Sequence, residues 1–300
     1  MNFHKTSRNL VQGYLKRQEN KLVNGNGEEI ILTGWGLGNW LLPEGYMWLY
    51  DGNSRMDRPR RIEAVVEELT GKAYAEQFWA KFQENYITEN DIEHMAELGY
   101  NSVRIPILWR LFMEEGEGNV FIENGFRLLD QCIDWCEKHK LYVFIDLHGA
   151  PGGQTGANID DSIDDVPRLF TDQDSWDKAI ALWVKIANRY KDRWIVGGYD
   201  LLNEPIRPEN VDGRNFDFLV DKLRQFYTDV IKAIREVDKV HLFSIEGHHW
   251  STDTAIFDRL YDENMVIHFH RYGCKPDIRI PRIIKEMESS IVAWGNRGEL

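Results

Sequence analysis

The sequence predicts an α/β protein, a (β/α)8 TIM barrel of which about six βα units are visible in its 300 residues. Three observations predict it. Strand and helix patterns alternate about every 40 residues, as parallel βαβ units require. Several strands read as continuous apolar runs, as strands covered on both faces must. Polar residues then cluster at the C-terminal ends of the strands: Trp40, Arg104, His148, Asn203, Glu204, Glu246, His270 and Tyr272. A doubly wound sheet collects ligands at one switch point, whereas here every strand contributes, which favours a closed barrel. No domain boundary or internal repeat is visible, so 1–300 reads as one barrel domain.

Residues 1–27 are polar and irregular and end in the turn cluster Asn24-Gly25-Asn26-Gly27. The first strand is expected over 30–35, running into the glycine-containing stretch 36–43. That stretch lacks the spacing of a dinucleotide fingerprint and the Lys-Ser/Thr of a phosphate loop. Segment 51–72, charged and containing Pro59, reads as an excursion. A helix follows over 73–85. The pair Thr88 and Asp91 resembles a capping box and opens a helix through Leu98, stopped by Gly99. The second strand covers 101–107, followed by a helix over 124–139 and the third strand over 141–148. The glycine-rich loop 149–172 is expected to be a lid. A helix over 174–190 precedes the fourth strand, which Gly197-Gly198 starts and Pro205 stops. Helix 216–236, strand 240–247, a short helical piece over 253–261, strand 265–272 and helix 281–294 complete the chain. A full barrel needs eight units. The remaining two are expected after Leu300 in the natural protein.

The net charge of −13 argues against a nucleic-acid groove or an anionic membrane surface. No apolar run is long enough to span a bilayer, and the N-terminus lacks the apolar stretch of a signal peptide. A cytoplasmic protein is expected from the chain as it stands, and a secreted one if a signal has been removed. Cys132, Cys136 and Cys274 show no metal-ligand spacing and read as free thiols. No cofactor is implied. A minority of the eleven Trp and twelve Tyr, placed at loop mouths, would suit stacking against sugar faces.

Asn203 and Glu204 sit where the fourth strand gives way to its loop, the face where barrel enzymes collect their catalytic groups. One carboxylic acid, an asparagine, an arginine, two histidines and a tyrosine on one rim suit an oxygen-rich neutral substrate. Glycoside hydrolysis needs two carboxyl groups flanking the scissile bond. Glu204 is the expected proton donor, if its neighbours keep it protonated. Asn203 would bond the sugar 2-hydroxyl, and Arg104 would orient the second carboxylate. His148, His270 and Tyr272 would supply hydroxyl contacts. Taken singly, a histidine at a strand end is more often structural. The convergence of these residues on one rim carries the reading.

The motifs in order resemble glycoside hydrolase family 5, in the clan of retaining (β/α)8 glycosidases. They are Gly36-Leu37-Gly38-Asn39-Trp40-Leu41, Ile87-Thr88-Glu89-Asn90-Asp91 with Val103-Arg104-Ile105-Pro106, Leu147-His148-Gly149-Ala150-Pro151-Gly152, Asn203-Glu204-Pro205 and His270-Arg271-Tyr272. The first and third look closest to the exo-β-1,3-glucanase-like branch. The resemblance implies retaining hydrolysis of β-linked glucans or gluco-oligosaccharides, with Glu204 as acid/base. It also implies a second glutamate, the nucleophile, at the end of strand seven. No such strand is visible. Glu299 follows no apolar run, and Glu246 ends strand five, where it would line a subsite or hold a loop. The nucleophile is therefore expected beyond Leu300. Other readings stay open: a non-catalytic carbohydrate-binding barrel, a family member acting on β-mannan, and a metal-dependent barrel hydrolase using His148, His268, His270 and Glu246.

Overall fold

A computed structural model describes residues 8–48 and 54–271. Six parallel strands lie side by side in chain order: β3 (Gly34–Gly36), β4 (Ser102–Leu108), β5 (Tyr142–Gly149), β6 (Val196–Asp200), β7 (Leu242–Glu246) and β8 (Met265–His268). Every crossover adds the next strand on the same side. A doubly wound sheet must reverse that order at its switch point, so this sheet is part of a barrel wall. An antiparallel hairpin of β1 (Lys16–Gln18) and β2 (Lys21–Val23) precedes it, where irregular chain was expected. Its neighbourhood closes the N-terminal end of the wall. Val11 and Leu15 are buried there, and the Tyr142 hydroxyl, at the start of β5, donates to the carbonyls of Gln12 and Gly13.

Helices α1 (Pro59–Thr70), α2 (Lys72–Tyr86), α3 (Glu89–Glu97), α4 (Glu123–His139), α5 (Gln173–Tyr190) and α6 (Val220–Val237) fill the crossovers. The last three bury stripes at three- and four-residue spacing. These are Phe126, Leu129, Cys132, Ile133 and Cys136 on α4; Leu182, Trp183 and Ile186 on α5; and Leu223, Phe226, Val230 and Ile234 on α6. Cys132 and Cys136 are free thiols within this layer, and Cys274 lies outside the described residues. The capping box at α3 is present, with Asp91 accepting the Thr88 backbone N–H at 2.8 Å. Among the described residues no helix is long and apolar enough to cross a membrane.

Five local expectations are corrected. The excursion around Pro59 is α1: proline occupies the first turn, where its missing N–H costs nothing. The first strand moves from 30–35 to Gly34–Gly36, because the Asn101 side chain replaces the ladder before it. Its amide donates to Ile31 O and its carbonyl accepts from Thr33 N, each at 2.8 Å. The fourth strand starts at Val196, one residue before the expected Gly197-Gly198, so both glycines lie inside β6. A Cβ at Gly198 would stand 2.7 Å from the Leu242 carbonyl, so glycine permits the close approach of β7. Residues 253–261 are irregular, not helical. The loop 149–172 is a packed scaffold rather than a lid. Gln154, Thr155, Asp160 and Ser162 are fully buried in it, and Asp160 accepts the N–H groups of Thr155, Gly156 and Ser162. The expected helix 281–294 lies outside the described residues.

The strand register sets which side chains share the inner face. Arg104 pairs in register with Phe144, Phe144 with Gly198, Asp146 with Asp200, Asp200 with Ser244, Ser244 with Val266 and Glu246 with His268. All of them project to one side. The lower part of that side is apolar and forms a cavity of about 370 Å³ lined by Trp35, Phe144, Leu242 and Val266. The upper part is charged.

Candidate active site

The charged end is built around Arg104. Its guanidinium reaches Asp146 Oδ2 at 3.1 Å, Asp200 Oδ2 at 2.7 Å, Glu246 Oε1 at 3.0 Å and Asn203 Oδ1 at 3.0 Å. These partners come from three different strands and one loop, so a single cation holds their spacing. Burial works against the charge of Arg104, but Asp146, Asp200 and Glu246 outweigh it and raise its pKa. Burial also penalises the charge of Asp200, yet the Arg104 guanidinium holds its pKa below the ordinary carboxylate value. Asp146 goes the other way. Burial is the larger influence there, and its pKa is raised.

Glu204 follows β6 in a left-handed backbone conformation, φ 43°. A non-glycine residue holds that conformation only where its surroundings over-determine it. Three contacts do so. The Glu204 N–H donates to Glu246 Oε2 at 2.7 Å, and the Glu204 carbonyl accepts from Thr155 Oγ1 at 2.8 Å. One residue before, the Asn203 carbonyl accepts from the Gln154 amide at 2.9 Å. The scaffold loop 149–172 thus positions the acid. The Glu204 carboxylate is in contact with His270 Nδ1, and the opposite ring nitrogen, Nε2, lies 3.2 Å from Glu246 Oε1. His270 therefore bridges the two glutamates.

His268 sits beside His270, with ring centroids 4.6 Å apart, and its Nδ1 reaches Asp200 at 3.1 Å and Glu246 at 3.2 Å. Burial disfavours both imidazolium ions, but their carboxylate partners prevail. His268 is raised to about 10 by Asp200 and Glu246, and His270 to about 9 by Glu204 and Glu246. Glu246 itself is completely buried. Burial alone would raise its pKa, but His268 and His270 hold it well below the ordinary value. Its carbonyl also accepts from the Tyr227 hydroxyl at 2.8 Å. On the other flank His148 donates from Nδ1 to Asp146 at 2.7 Å and accepts at Nε2 from the Asn203 amide at 3.2 Å. Glu44 Oε1 stands 3.6 Å from the same Nε2, and burial raises the Glu44 pKa.

The structure thus brings together Arg104, His148, Asn203, Glu204, Glu246 and His270. Trp40 does not join them. It is 2 % exposed, and its ring N–H donates to the Gln83 carbonyl on α2, so it is a core residue and not a stacking platform. Tyr272 lies outside the described residues. Sequence reasoning missed Asp146, Asp200, Glu44 and the place of His268 in the network. The period of two was a usable signal for one of them: Asp146 precedes His148 by two residues and so shares its face. Glu246, His268 and His270 approach one another closely enough to hold a metal. However, the Arg104 guanidinium already occupies Glu246 Oε1 as a cation, and His148 is engaged elsewhere. Among the described residues His148 does not join that group, so the four ligands of the metal-dependent reading are not assembled at one point.

Strands laid in chain order with ionised groups on their C-terminal rim define a protein of the α/β-barrel class. The family model for cellulases of glycosyl hydrolase family 5 matches residues 64–278. The chain belongs to that family. It is 33 % identical over 244 residues to a β-xylosidase of Phanerodontia chrysosporium, covering 81 % of this chain and 48 % of the relative. It is 28 % identical over 287 residues to a glucan 1,3-β-glucosidase of Candida oleophila, covering 88 % and 63 %. The chain therefore spans about half to two thirds of the length of these curated relatives. Among solved structures, the rutinosidase from Aspergillus niger superposes with a TM-score of 0.68 at 17 % identity, over 84 % of this chain and 73 % of that one. An endoglucanase from Thermotoga maritima gives 0.55 at 21 % identity, over 71 % and 69 %. Both likenesses concern the fold.

Proposed function

We propose that this chain is the acid/base-bearing part of a retaining β-glycosidase acting on O-glycosidic bonds of β-linked glucans or gluco-oligosaccharides. The observation that carries the reading is the clamp on Glu204: backbone N–H to Glu246, carboxylate to His270, and the preceding Asn203 held between Arg104 and His148. A group held at both its peptide and its carboxylate is aimed before substrate arrives, which is what positioned proton transfer needs. In the first step Glu204 would give its proton to the glycosidic oxygen as the bond to the anomeric carbon breaks. In the second it would take a proton from the attacking water. Asn203 Nδ2, next to the acid, would offer the 2-hydroxyl the N–H that its bond to His148 leaves over. The relatives named above, a β-xylosidase and a glucan 1,3-β-glucosidase, support a neutral β-linked sugar substrate.

Among the described residues, Glu44 lies buried against His148 with its pKa raised by burial, which disfavours the ionised form a nucleophile needs, and the remaining carboxylates of the site are committed. Asp146, Asp200 and Glu246 each pair with Arg104. We therefore place the nucleophile outside residues 8–48 and 54–271. Treating the native protein with an activated 2-deoxy-2-fluoro-β-glucoside should add one sugar mass, and peptide mapping should locate it on a carboxylate outside those residues. An adduct on Glu246 or Asp200 would sink this assignment. Glu204→Gln should lower turnover of a β-linked disaccharide by about 10²–10⁴-fold while leaving substrate binding nearly unchanged. Binding without turnover in the unmodified protein would instead favour a carbohydrate-binding barrel.

Segments 54–61 and 160–165 form one wall, and the second belongs to the loop whose Gln154 and Thr155 hold Asn203 and Glu204. Arg58 donates to Ser162 O at 2.8 Å and pairs with Asp165 at 2.5 Å, and Arg60 pairs with Asp161 at 2.9 Å. A wall fixed in this way supports a cleft closed at one end, hence action on chain ends.

A further inference from the structure

A second group of ligand-type side chains lies outside the Arg104 network. Asp217 stands just before α6, and His248 and His249 stand in the turn after β7. One ligand atom from each lies within 4.8 Å of the others. His249 Nε2 is 2.7 Å from Asp217 Oδ1, and His248 Nε2 is 4.0 Å from the same oxygen. Neighbouring residues do not normally present their side chains to one point, because they diverge in a strand and in an ordinary helix. Here they converge because His249, Trp250 and Ser251 take φ of 54°, 56° and 57°, a run of left-handed residues that swings the second imidazole alongside the first. The ring centroids are 3.9 Å apart. The turn is pinned by the His249 N–H, which donates to the Ile206 carbonyl at 2.7 Å.

The chemistry of His248 points to a missing cation. Its side chain is 7 % exposed. Nδ1 lies 3.4 Å from the Asp253 carbonyl, which can only accept, so Nδ1 carries a proton and Nε2 is the nitrogen that offers a lone pair when the ring is neutral. That lone pair faces two carboxylates, Asp217 Oδ1 at 4.0 Å and Asp253 Oδ2 at 3.9 Å, both beyond hydrogen-bond reach. His249 Nε2 and Asp217 Oδ1 share a proton in this structure, and a metal ion entering between the three groups would displace that proton and give His248 Nε2 the partner it lacks. A metal-ligating histidine commonly donates its other N–H to a backbone carbonyl, as His248 does. Ligand atoms about 2.1 Å from a tetrahedral metal are separated by roughly 3.4 Å, and the observed 2.7 and 4.0 Å bracket that spacing.

We propose that Asp217, His248 and His249 bind a divalent transition metal of the zinc type, with Asp253 in reach as a fourth or water-bridged ligand. Two imidazoles and a carboxylate suit zinc over magnesium or calcium, which prefer oxygen alone. The ion would clamp the loop after β6 to the turn after β7, a structural role separate from the proposed hydrolysis. Entry from solvent is open, since Asp217 and Asp253 are about half exposed.

The test is calorimetric titration of Zn²⁺ into the full protein stripped with a chelator, with thermal unfolding followed in parallel. One equivalent should bind and raise the unfolding temperature, and Co²⁺ in its place should show the visible bands of a four-coordinate ion. Asp217→Asn and His249→Gln, chosen because neither side chain is buried, should each weaken Zn²⁺ more than about tenfold and remove the thermal shift while leaving the circular-dichroism spectrum unchanged. His268→Gln, in the other histidine cluster, should leave Zn²⁺ binding intact. Failure of the unmodified protein to bind Zn²⁺ would overturn the proposal. So would binding that survives both Asp217→Asn and His249→Gln but is lost with His268→Gln.

Discussion

At the residue scale, Glu246 decides how the proposed acid is held. It is fully buried, and it meets Arg104, His268, His270 and the Glu204 N–H at once. Removing its charge leaves three cationic groups short of a partner, which costs roughly 3–5 kcal/mol in comparable buried pairs. Glu246→Gln should therefore lower the unfolding free energy obtained from urea titration by an amount of that order. A change within error would mean the carboxylate is not charged in the fold. The same cluster sets a pH dependence. His268 and His270 titrate at about 10 and 9 in the fold, against about 6.5 unfolded. Their contribution to stability is complete below the unfolded value and is lost as pH rises toward 9 and then 10. Glu246 and Asp200 are depressed, so theirs is present above the ordinary carboxylate value and lost in acid. Stability measured against pH should decline on the alkaline side in the unmodified protein. It should decline less in His268→Gln and His270→Gln. The site was legible where a residue followed an apolar strand, as Asn203, Glu204 and Glu246 do. Asp146 and Asp200 were overlooked because an acid inside an apolar run gives no local sign of its partner. That partner, Arg104, is about 40 residues or more away along the chain.

At the element scale, the sequence was readable where the signal was periodic. The stripes of α4, α5 and α6 and the cap at Thr88 depend on neighbours within one helix. It was unreadable where a side chain replaced backbone pairing, as Asn101 does beside β3, and where bends arise from tertiary contacts, as at His249 and Ser251. The scaffold loop is the sharpest example. Its glycines and acids suggest mobility, yet Asp160 uses its carboxylate as the loop's internal post. Close strand approach gives a test at this scale. A Cβ at Gly34 would fall 1.9 Å from the Ser102 carbonyl, so one strand must shift to admit it. Overpacking of this kind costs about 1–3 kcal/mol. Gly34→Ala should lose stability in that range by urea unfolding, whereas Gly36→Ala, where a Cβ meets nothing within 4 Å, should change it little. Equal losses would show that conformational freedom, not space, fixes these glycines.

At the scale of the whole molecule, the inner face of the sheet divides into an apolar base and a charged rim, and the flanking segments determine what reaches the rim. The link between 54–61 and 160–165 runs through Arg58, which is 2 % exposed and bonded to Asp57, Ser162 and Asp165. Truncating it leaves Asp165 and the Ser162 carbonyl without their donor, while Asp57 keeps Arg61 at 3.0 Å. Arg58→Ala should therefore loosen both segments together, and because loop 149–172 also holds Asn203 and Glu204, the effect should reach the acid. Two measurements separate the consequences. Limited proteolysis should cut within 149–172 in the variant under conditions that leave the unmodified protein whole. If the wall closes one end of the cleft, the ratio of activity on long β-glucan to activity on short oligosaccharide should rise even as total activity falls. Parallel loss on both substrates would mean that the segments only support Glu204 and do not shape the cleft. An unchanged cleavage pattern would mean that the Asp161 pairs with Arg60 and Arg110 suffice to hold the wall without Arg58.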